Sequence, residues 1–560
     1  LKSNLINLLI QKEYYPDALK WIEAAQAEVN IQAVSINFQF EKANILLLLK
    51  KYNEASFAFQ IILDVVDNND LASKAYYGRG IALWELNRLK EASLMFEQAY
   101  NRSSDKTIKA NAIFKAGDSY YKDTNYNKAE YYYLKFSEDF PEHKDIAQAY
   151  YQLGLCYARI GRRSNSIEIF KKVYTDFSES IFANQARLRS ADVLIAEQNW
   201  EIALSMYDQV EVLSDSLETL SFSKYQKGLL LYKLGLYKEA KLLFEEIISK
   251  YADSEYAEQS VYMRAFCLYM LDDIEEAIEI CKLFVQDRPN SEWTPNVLFW
   301  LAEQSYNTRN FIDAEILFLR IYNEFSSHTL AEQALFRAAK SAMNSSKFTL
   351  AVERFSLLVR SFSNSIIVPE ARFLQGNALA ELGDYGRAIL AFEEVLKQYP
   401  KHELANAALG RVGDCQFILG SNQPIRYNDA FVTYETLLDR IINSHELQLQ
   451  CLYKLGRCKY KMGDLDESFD YYIRAVYYFI NQSVEYTSPN LTWFTRAAFS
   501  AAELQEQLGN YKGACAIYER VIDSKVPVAS EAKRRYELLR FKDPLLDQNK
   551  KELINDRINN

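Results

Sequence analysis

Glycine and proline are scarce in this sequence of 560 residues, with 17 and 10 copies. The residues that tight turns require are therefore few, and helix is expected to dominate. No uninterrupted apolar run approaches the roughly 20 residues that a membrane-spanning helix needs. Because apolar residues still make up 49% of the chain, the sequence can build an extensive core and is not globally disordered.

Basic runs are also missing, and 75 acidic residues outnumber 65 basic ones, which gives a net charge of −10. This balance argues against nucleic acid as the main partner. The seven cysteines include no CxxC pair. Because Cys156, Cys267, Cys415 and Cys458 fall at one helical position of separate repeats, we expect reduced, buried core residues rather than metal ligands or disulfides.

Catalytic motifs are absent from the sequence as well, since it contains no GxxxxGK, GxGxxG or HExxH pattern. Three of the four histidines, His143, His328 and His402, lie in predicted loops beside helix starts, and His445 falls one residue away from that register. Separate repeats would hold them far apart, so we expect solvated or capping residues. The sequence predicts no enzymatic activity, no cofactor and no metal.

A small residue recurs every 37 residues along most of the chain, and alanine occupies ten of its first eleven positions. A large residue usually lies three positions earlier and an aromatic residue four positions later, which is one face of a helix, called helix B. After residue 388 the intervals lengthen, and the pattern gives fourteen repeats. The recurring residues are Ala18, Ala55, Ala92, Ala129, Ser166, Ala203, Ala240, Ala277, Ala314, Ala351, Ala388, Ala430, Ser468 and Ala514.

We number each repeat so that the recurring small residue of helix B is position 20. A second small residue then falls at position 8, in the helix that precedes helix B, called helix A. Glycine in mid-helix costs about 1 kcal/mol relative to alanine, so its recurrence there predicts a close helix–helix approach. Glycine at position 15 predicts a left-handed cap at the end of helix A, and Gly420 is expected to do the same before a five-residue insertion. The position-8 glycines are Gly80, Gly117, Gly154, Gly228, Gly376 and Gly456, and the position-15 glycines are Gly161, Gly235, Gly383, Gly463 and Gly509.

Small residues at positions 8 and 20 with an aromatic residue at position 24 resemble the tetratricopeptide repeat (TPR), as in LGLCYARIGRRSNSIEIFKKV and QGNALAELGDYGRAILAFEEVLKQYP. The family repeat has 34 residues, and the surplus here lies in the connection from helix B to the next helix A. The resemblance implies an all-α fold, an α-solenoid of about fourteen helix-turn-helix repeats in a right-handed superhelix. It also implies a non-enzymatic scaffold that binds proteins.

The spacing divides the chain into a regular array over 1–410 and irregular repeats with insertions over 411–523. A C-terminal capping helix is predicted over 524–545 and a polar tail over 546–560. Residue 1 is leucine inside an amphipathic stretch, which predicts that the sequence was cut from a longer chain. Segments such as DFPEHKDIAQA resemble bacterial TPR proteins of the cell envelope, which favours a periplasmic or envelope location and a place in a multiprotein assembly.

The TPR alignment places helix-A positions 2, 5, 9 and 12 on a groove, and two of these positions are rich in aromatic residues. We predict an aromatic-lined groove for an extended or helical protein segment, with its main contacts between Tyr225 and Phe336. The alternative is that position 5 packs against the adjacent repeat. The candidates are Phe40, Tyr77, Phe114, Tyr151, Tyr225, Tyr262, Phe299, Phe336 and Phe373 at position 5, and Trp84, Tyr121, Tyr232, Tyr269 and Tyr306 at position 12.

Position 5 carries no lysine, so the sequence lacks the clamp with which some TPR proteins hold acidic C-termini. Two other functions remain open besides groove binding. One is a structural subunit of a bacterial envelope or motor assembly, which contacts its partners through outer surfaces or the ends of the array. The other is a regulatory domain of an enzyme that lies upstream of residue 1.

Overall fold

The computed structural model describes residues 2–28, 32–66, 69–441, 444–481 and 488–542, and every regular element in these residues is an α-helix. The odd-numbered helices are α1 (Lys2–Gln11), α3 (Gln32–Leu48), α5 (Asn69–Glu85), α7 (Lys106–Lys122), α9 (Ile146–Ile160), α11 (Phe182–Ala196), α13 (Leu217–Lys233), α15 (Tyr256–Met270), α17 (Thr294–Asn307), α19 (Ala331–Asn344), α21 (Val368–Glu381), α23 (Ala405–Leu419), α25 (His445–Met462), α27 (Ser488–Gln507) and α29 (Ala529–Lys542). The even-numbered helices are α2 (Tyr15–Glu28), α4 (Tyr52–Val65), α6 (Leu89–Arg102), α8 (Tyr126–Asp139), α10 (Arg163–Asp176), α12 (Trp200–Leu213), α14 (Tyr237–Lys250), α16 (Ile274–Asp287), α18 (Phe311–Glu324), α20 (Phe348–Ser361), α22 (Tyr385–Gln398), α24 (Ile425–Arg440), α26 (Leu465–Asn481) and α28 (Tyr511–Asp523). The predicted all-α fold of repeated helix pairs is therefore confirmed.

The chain divides into two compact blocks, block 1 (Leu1–Ile280) and block 2 (Cys281–Asn560). Within each block, consecutive helices pack against each other. Successive odd-numbered helices also touch, as α9 and α11 do in block 1 and α25 and α27 in block 2. In each block the odd-numbered helices, which are the predicted helices A, thus share one surface, called here the helix-A face. The boundaries predicted at residues 410 and 523 describe regularity of spacing and remain predictions.

The 37-residue pattern marks the core of the array. All fourteen residues at position 20 are fully buried. The position-24 residues are buried beside them, including Phe96, Phe170, Phe244 and Phe392. One helix face therefore supplies both columns, and stacking of neighbouring helices removes this face from water, because a single repeat cannot cover it alone.

The position-8 glycines lie directly against the position-24 rings, which confirms the predicted close approach. A Cβ atom built on Gly154 would lie 2.6 Å from the ring of Phe170, and one on Gly228 would lie 2.8 Å from that of Phe244. Distances this short leave no room for a side chain unless the ring moves. Glycine therefore lets helix A approach the largest core residue of its own helix B.

The turn from helix A to helix B contains a left-handed residue in nearly every repeat. The five position-15 glycines have φ between 74° and 89°, which confirms the predicted caps. Eight other repeats place a residue with a side chain there, with φ between 59° and 70°. The turn geometry is thus set by the packing of the two helices, and glycine makes it less strained without being required. These eight residues are Glu13, Lys50, Asn87, Thr124, Gln198, Asp272, Arg309 and Ser346.

The prediction for Gly420 was wrong. This residue has φ −57° and ψ −23°, so it continues the right-handed conformation at the end of α23. Glycine is explained there by packing, since a Cβ atom would lie 2.5 Å from the ring of Tyr427. The insertion also lengthens the spacing between the glycine of helix A and the position-24 ring that it faces. In this repeat the glycine is Gly413 and the ring is that of Tyr434.

Two kinds of connection lead from helix B to the next helix A. In the first, a histidine or serine accepts a hydrogen bond from the backbone N–H two residues later, as His143, His328 and His402 do through Nδ1 at 3.2 Å. These histidines therefore bond to the backbone N–H of the N-cap residue and leave the first turn of the helix without a side-chain cap. In the second, Asp105 or Ser216 caps a longer helix A of 17 residues with its side-chain oxygen.

Four prolines lie in the first turn of a helix. Pro16, Pro295, Pro369 and Pro489 are each the second residue of a helix rather than part of a connection. Helices tolerate proline there because the N–H groups of the first turn have no partner within the helix. These helices therefore begin one residue before the proline.

All seven cysteines are buried, as predicted. Burial raises the pKa of Cys156, Cys267 and Cys281 to about 12, which keeps these thiols protonated and unreactive at neutral pH. The predicted capping helix corresponds to α29, which packs on α28 and buries Ala532 and Leu539. The predicted polar tail, 546–560, lies outside the described residues.

Candidate protein-binding face

The aromatic residues at position 5 pack into the core between helices A and B. Their rings lie 5.3–6.0 Å from the position-24 ring of the same repeat, and four of them, Phe114, Tyr151, Tyr225 and Phe336, are at most 9% exposed. Packing within one repeat therefore accounts for part of this column. The next helix A adds to it, since Tyr151 lies 5.4 Å from Phe182 of α11 and Tyr225 lies 5.4 Å from Tyr256 of α15, so the alternative of packing against the adjacent repeat is confirmed at these two positions. The paired rings are Phe40–Phe59, Tyr77–Phe96, Phe114–Tyr133, Tyr151–Phe170, Tyr225–Phe244, Phe299–Phe318, Phe336–Phe355 and Phe373–Phe392.

Partner contact through position 5 remains a prediction, and the burial of these rings argues against it. A ring that is already covered has little surface left to offer a ligand. Tyr262 packs against Phe266 of its own helix, with ring centroids 4.7 Å apart, and it is half-buried, as are Phe40, Tyr77, Phe299 and Phe373.

The aromatic residues at position 12 are half-exposed on the helix-A face. Trp84, Tyr121, Tyr232, Tyr269 and Tyr306 all keep part of their surface open. Three of these rings rest edge-on against the first residue of the following helix B. The pairs are Tyr121–Tyr126 at 5.3 Å, Tyr232–Tyr237 at 5.3 Å and Tyr306–Phe311 at 5.2 Å.

The next helix A along the chain also holds two of the position-12 rings. Lys115 and Lys122 of α7 lie 5.2 Å and 5.0 Å from the ring centre of Trp84. In block 2, Arg337 lies 5.1 Å from the ring centre of Tyr306, whose hydroxyl accepts a hydrogen bond from Asn344 at 2.7 Å. These contacts restrict the rings before any ligand arrives, which lowers the entropy cost of binding.

Block 1 has a cavity of about 340 Å³ on its helix-A face, among α9, α11, α13 and α15. Its walls include Tyr151, Arg189, Phe222 and Tyr256. Arg189 pairs with Asp192 at 3.0 Å, and burial raises the pKa of that carboxyl despite the pairing. The cavity is therefore walled by aromatic rings, by Arg189, whose charge is matched by Asp192, and by Glu218.

Block 2 has a cavity of about 250 Å³ on its own helix-A face, among α23, α25 and α27. Sequence reasoning missed this cavity, since it followed the aromatic residues at positions 5 and 12. The available signal was a cluster of basic residues and Trp493 in the two repeats with irregular spacing. This cluster is visible only once those repeats are aligned across their insertions.

Within the ranges that the structure describes, no group of three or more histidine, cysteine, aspartate or glutamate side chains could hold a metal ion. In the same ranges no helix is both long enough and apolar enough to cross a membrane. The features found on the helix-A faces of the two blocks are aromatic rings, cationic side chains and cavities.

Family models described as tetratricopeptide repeat match about half of the chain in total. The matched segments are 73–106, 111–143, 147–175, 223–254, 259–291, 336–403, 450–479 and 496–524. They fall in both the regular and the irregular parts of the array.

Among characterised proteins, the chain is similar to TPR repeat-containing protein MJ1428 of Methanocaldococcus jannaschii, with 26% identity over 242 residues. That match spans 42% of this chain and 40% of the relative's length, so the chain covers less than half of this relative. Among solved structures, it is similar to YrrB, a TPR protein with an unusual peptide-binding site, at 22% identity and a TM-score of 0.28, over 33% of this chain and 91% of YrrB. It is also similar to Naa15/Naa10 bound to HypK-THB, at 13% identity and a TM-score of 0.32, over 99% of this chain and all of that one. The repeat matches and the buried 37-residue pattern together show that the chain belongs to the tetratricopeptide-repeat superfamily.

Proposed function

We propose that this protein-interaction scaffold binds segments of other proteins on its helix-A face, through the half-exposed rings at position 12. The observation that carries the proposal is the contrast between aromatic columns. The position-24 rings are buried, and eight of the nine position-5 rings pack on them, four being at most 9% exposed, whereas all five position-12 rings stay partly open on odd-numbered helices. Partly open, pre-positioned aromatic residues are typical anchors of protein interfaces.

The energetic argument favours position 12 over position 5. Burying an aromatic anchor in an interface typically contributes about 2 kcal/mol or more. A position-12 ring still has surface to bury, and its contacts with the next helix already fix its orientation. Tyr232 and Trp84 therefore make better anchors than Tyr225 or Phe114.

The test compares native partners captured by variants of the full chain. Block 1 is tested with Tyr232→Ala combined with Tyr269→Ala, and block 2 with Tyr306→Ala. We expect each change to weaken capture of native partners while helicity stays unchanged, because the rings contribute little to the core. Partners would be captured from the source cells and quantified by mass spectrometry, with circular dichroism as the folding check.

A second candidate is a structural subunit that contacts its partners through the even-numbered helices. Three successive helices, α4, α6 and α8, expose a large apolar residue at the same repeat position: Phe57 is 69% exposed, Leu94 49% and Tyr131 53%. Exposed apolar residues that recur in register favour a contact surface over random exposure. The envelope location suggested by the sequence and a link to an upstream enzyme remain predictions.

The outer residues supply the matched control. A variant with Phe57→Ala, Leu94→Ala and Tyr131→Ala removes a similar apolar area without touching the helix-A face. If this variant loses the native partners and the Tyr232 and Tyr269 variant keeps them, the groove proposal fails and the structural role is favoured. If instead the Tyr232 and Tyr269 variant loses the native partners and the outer-surface variant keeps them, binding on the helix-A face is supported.

A further inference from the structure

The cavity on the helix-A face of block 2 carries an unbalanced positive charge. Four cationic side chains line it, from Arg411, Lys454, Arg457 and Arg496, against one carboxylate, from Asp414. The cavity is thus three charges positive in a chain whose net charge is −10. A concave site of one sign attracts ligands of the other sign.

The one carboxylate that lines this cavity already has partners within the protein. Asp414 binds the ammonium of Lys454 at 2.5 Å and lies 3.7 Å from Arg411, and it accepts a hydrogen bond from the hydroxyl of Tyr434 at 2.6 Å. Arg411 also donates to Asn377 at 3.0 Å. Lys454 and Arg411 are therefore satisfied within the protein.

Arg457 and Arg496 are held by aromatic rings instead. The guanidinium carbon of Arg457 lies 4.8 Å from the ring centre of Phe417, and that of Arg496 lies 4.9 Å from the ring centre of Trp493. In the part of the chain that the structure describes, neither side chain forms an ion pair with a carboxylate. Stacking occupies the flat face of a guanidinium and leaves its N–H edge able to bind a carboxylate.

The order of side chains along neighbouring helices accounts for the imbalance. An acid on one helix A can pair with a base on the next, as Glu303 at position 9 does with Arg337 at position 6 at 2.6 Å. Asp414 and Lys454 form the same kind of pair between α23 and α25. From α25 to α27 no such pair is possible, because position 9 of α25 is Arg457 and position 6 of α27 is Ser500.

We propose that this cavity, the basic–aromatic pocket, binds an acidic peptide segment of a partner protein. A carboxylate would lie between the guanidinium groups of Arg457 and Arg496, and an apolar neighbour would pack against Phe417 and Trp493. The ligand then supplies the carboxylate that Arg457 and Arg496 do not find within the described part of the chain. The inference rests on the proposed function, in which the helix-A face binds protein segments.

The test uses the full chain and a fluorescein-labelled octapeptide of alternating glutamate and leucine, blocked at both ends. We expect saturable binding by fluorescence anisotropy that weakens as salt is added. Replacing every glutamate of the peptide by glutamine, or combining Arg457→Gln with Arg496→Gln, should each weaken binding by about tenfold or more. A third peptide has its C-terminus as its only carboxylate. If its binding depends on the same two arginines, the carboxylate that the pocket recognises is that of a chain end rather than of a glutamate side chain.

Arg520→Gln is the matched control. Arg520 is exposed on α28 and stacks on Tyr477 at 4.6 Å, but it does not line the pocket. Its loss should leave peptide binding unchanged. The proposal is overturned if the glutamine peptide or the double arginine variant binds as well as the originals, or if the unaltered chain binds no acidic peptide at about 1 mM.

The proposal for the basic–aromatic pocket and the proposal for the position-12 rings can be disproved separately. The Tyr232 and Tyr269 variant lies in block 1 and leaves the pocket residues intact. If the peptide test fails while that variant still loses its native partners, only the pocket is overturned. If the peptide binds through the two arginines while that variant keeps its native partners, the pocket stands and the position-12 groove is overturned.

Discussion

Two aromatic columns of the same repeat differ in their surroundings. Phe244 at position 24 is fully buried, with Gly228 of helix A on one side and the ring of Tyr225 5.9 Å away on another. Tyr232 at position 12 is half-exposed beside Tyr237. Both residues belong to columns with 37-residue spacing. The comparison teaches that spacing finds aromatic columns, whereas neighbours on every side decide which column is core.

The largest expected effect tests the core column. Phe244→Ala should destabilise its part of block 1 by roughly 3–5 kcal/mol, because it removes a fully buried ring and leaves a cavity. Tyr232→Ala should cost less, about 1–2 kcal/mol, since its ring is partly exposed at the edge of the core and leaves no enclosed cavity when removed. Urea unfolding followed by circular dichroism measures both changes. Similar losses for the two variants would remove the distinction between the columns.

The next effect tests the close approach that buries the position-24 rings. Gly154→Val should cost about 1–3 kcal/mol, because its side chain would overlap the ring of Phe170. Gly386 is the control, since no atom outside its immediate neighbourhood lies within 4 Å of a Cβ atom built there. Gly386→Ala should leave thermal unfolding unchanged or raise its midpoint. If Gly154→Val leaves the free energy of unfolding unchanged, the ring of Phe170 can shift to make room for a side chain, and the close approach does not require glycine.

A smaller effect separates ring packing from backbone capping. Asp105→Ala removes the side-chain oxygen that accepts from the N–H groups of Thr107 and Ile108, and it should cost about 1 kcal/mol. Neither aromatic column is touched, so the change should remain local to the start of α7. Hydrogen exchange measured by mass spectrometry should show faster exchange there and unchanged exchange in α14. Protection lost throughout block 1 would contradict a local role.

The smallest structural change is expected from a cysteine reporter in each column. Cys281 is the natural residue at position 24 of its repeat and is 1% exposed, so a thiol reagent should label it slowly under native conditions. Tyr232→Cys places a thiol at position 12 and should be labelled quickly, with the fold retained. The unaltered chain, with all seven cysteines buried, supplies the baseline. Equal labelling rates would contradict the difference in exposure.

Much of the fold could be predicted because its determinants are local. The small residue at Ala240, the glycine at Gly228 and the ring at Phe244 lie within one helix pair, and their spacing alone indicates how the two helices pack. The left-handed turn was visible wherever glycine occupies it, as at Gly235. It was hidden where Lys50 or Ser346 adopts the same conformation, since such residues carry no sequence signature for it.

The candidate site was less predictable because it depends on several helices at once. Tyr225 and Tyr232 are both tyrosines on one helix, and their different burial follows from what packs beside each of them. The basic–aromatic pocket joins Phe417, Arg457 and Arg496 from three helices. Insertions shift the register between these helices, so regular spacing could not bring the three residues together.

The contact between position 8 and position 24 has a consequence for how the protein folds. Gly154 meets Phe170, and Gly376 meets Phe392, so the tightest packing joins helices that are adjacent in the chain. Chains dominated by such short-range contacts close small loops and have low contact order, which favours rapid folding. Nucleation can begin at several helix pairs and spread to their neighbours. During synthesis on the ribosome, a helix pair therefore needs only its neighbouring pairs to have emerged before it folds, and not the distant end of the array.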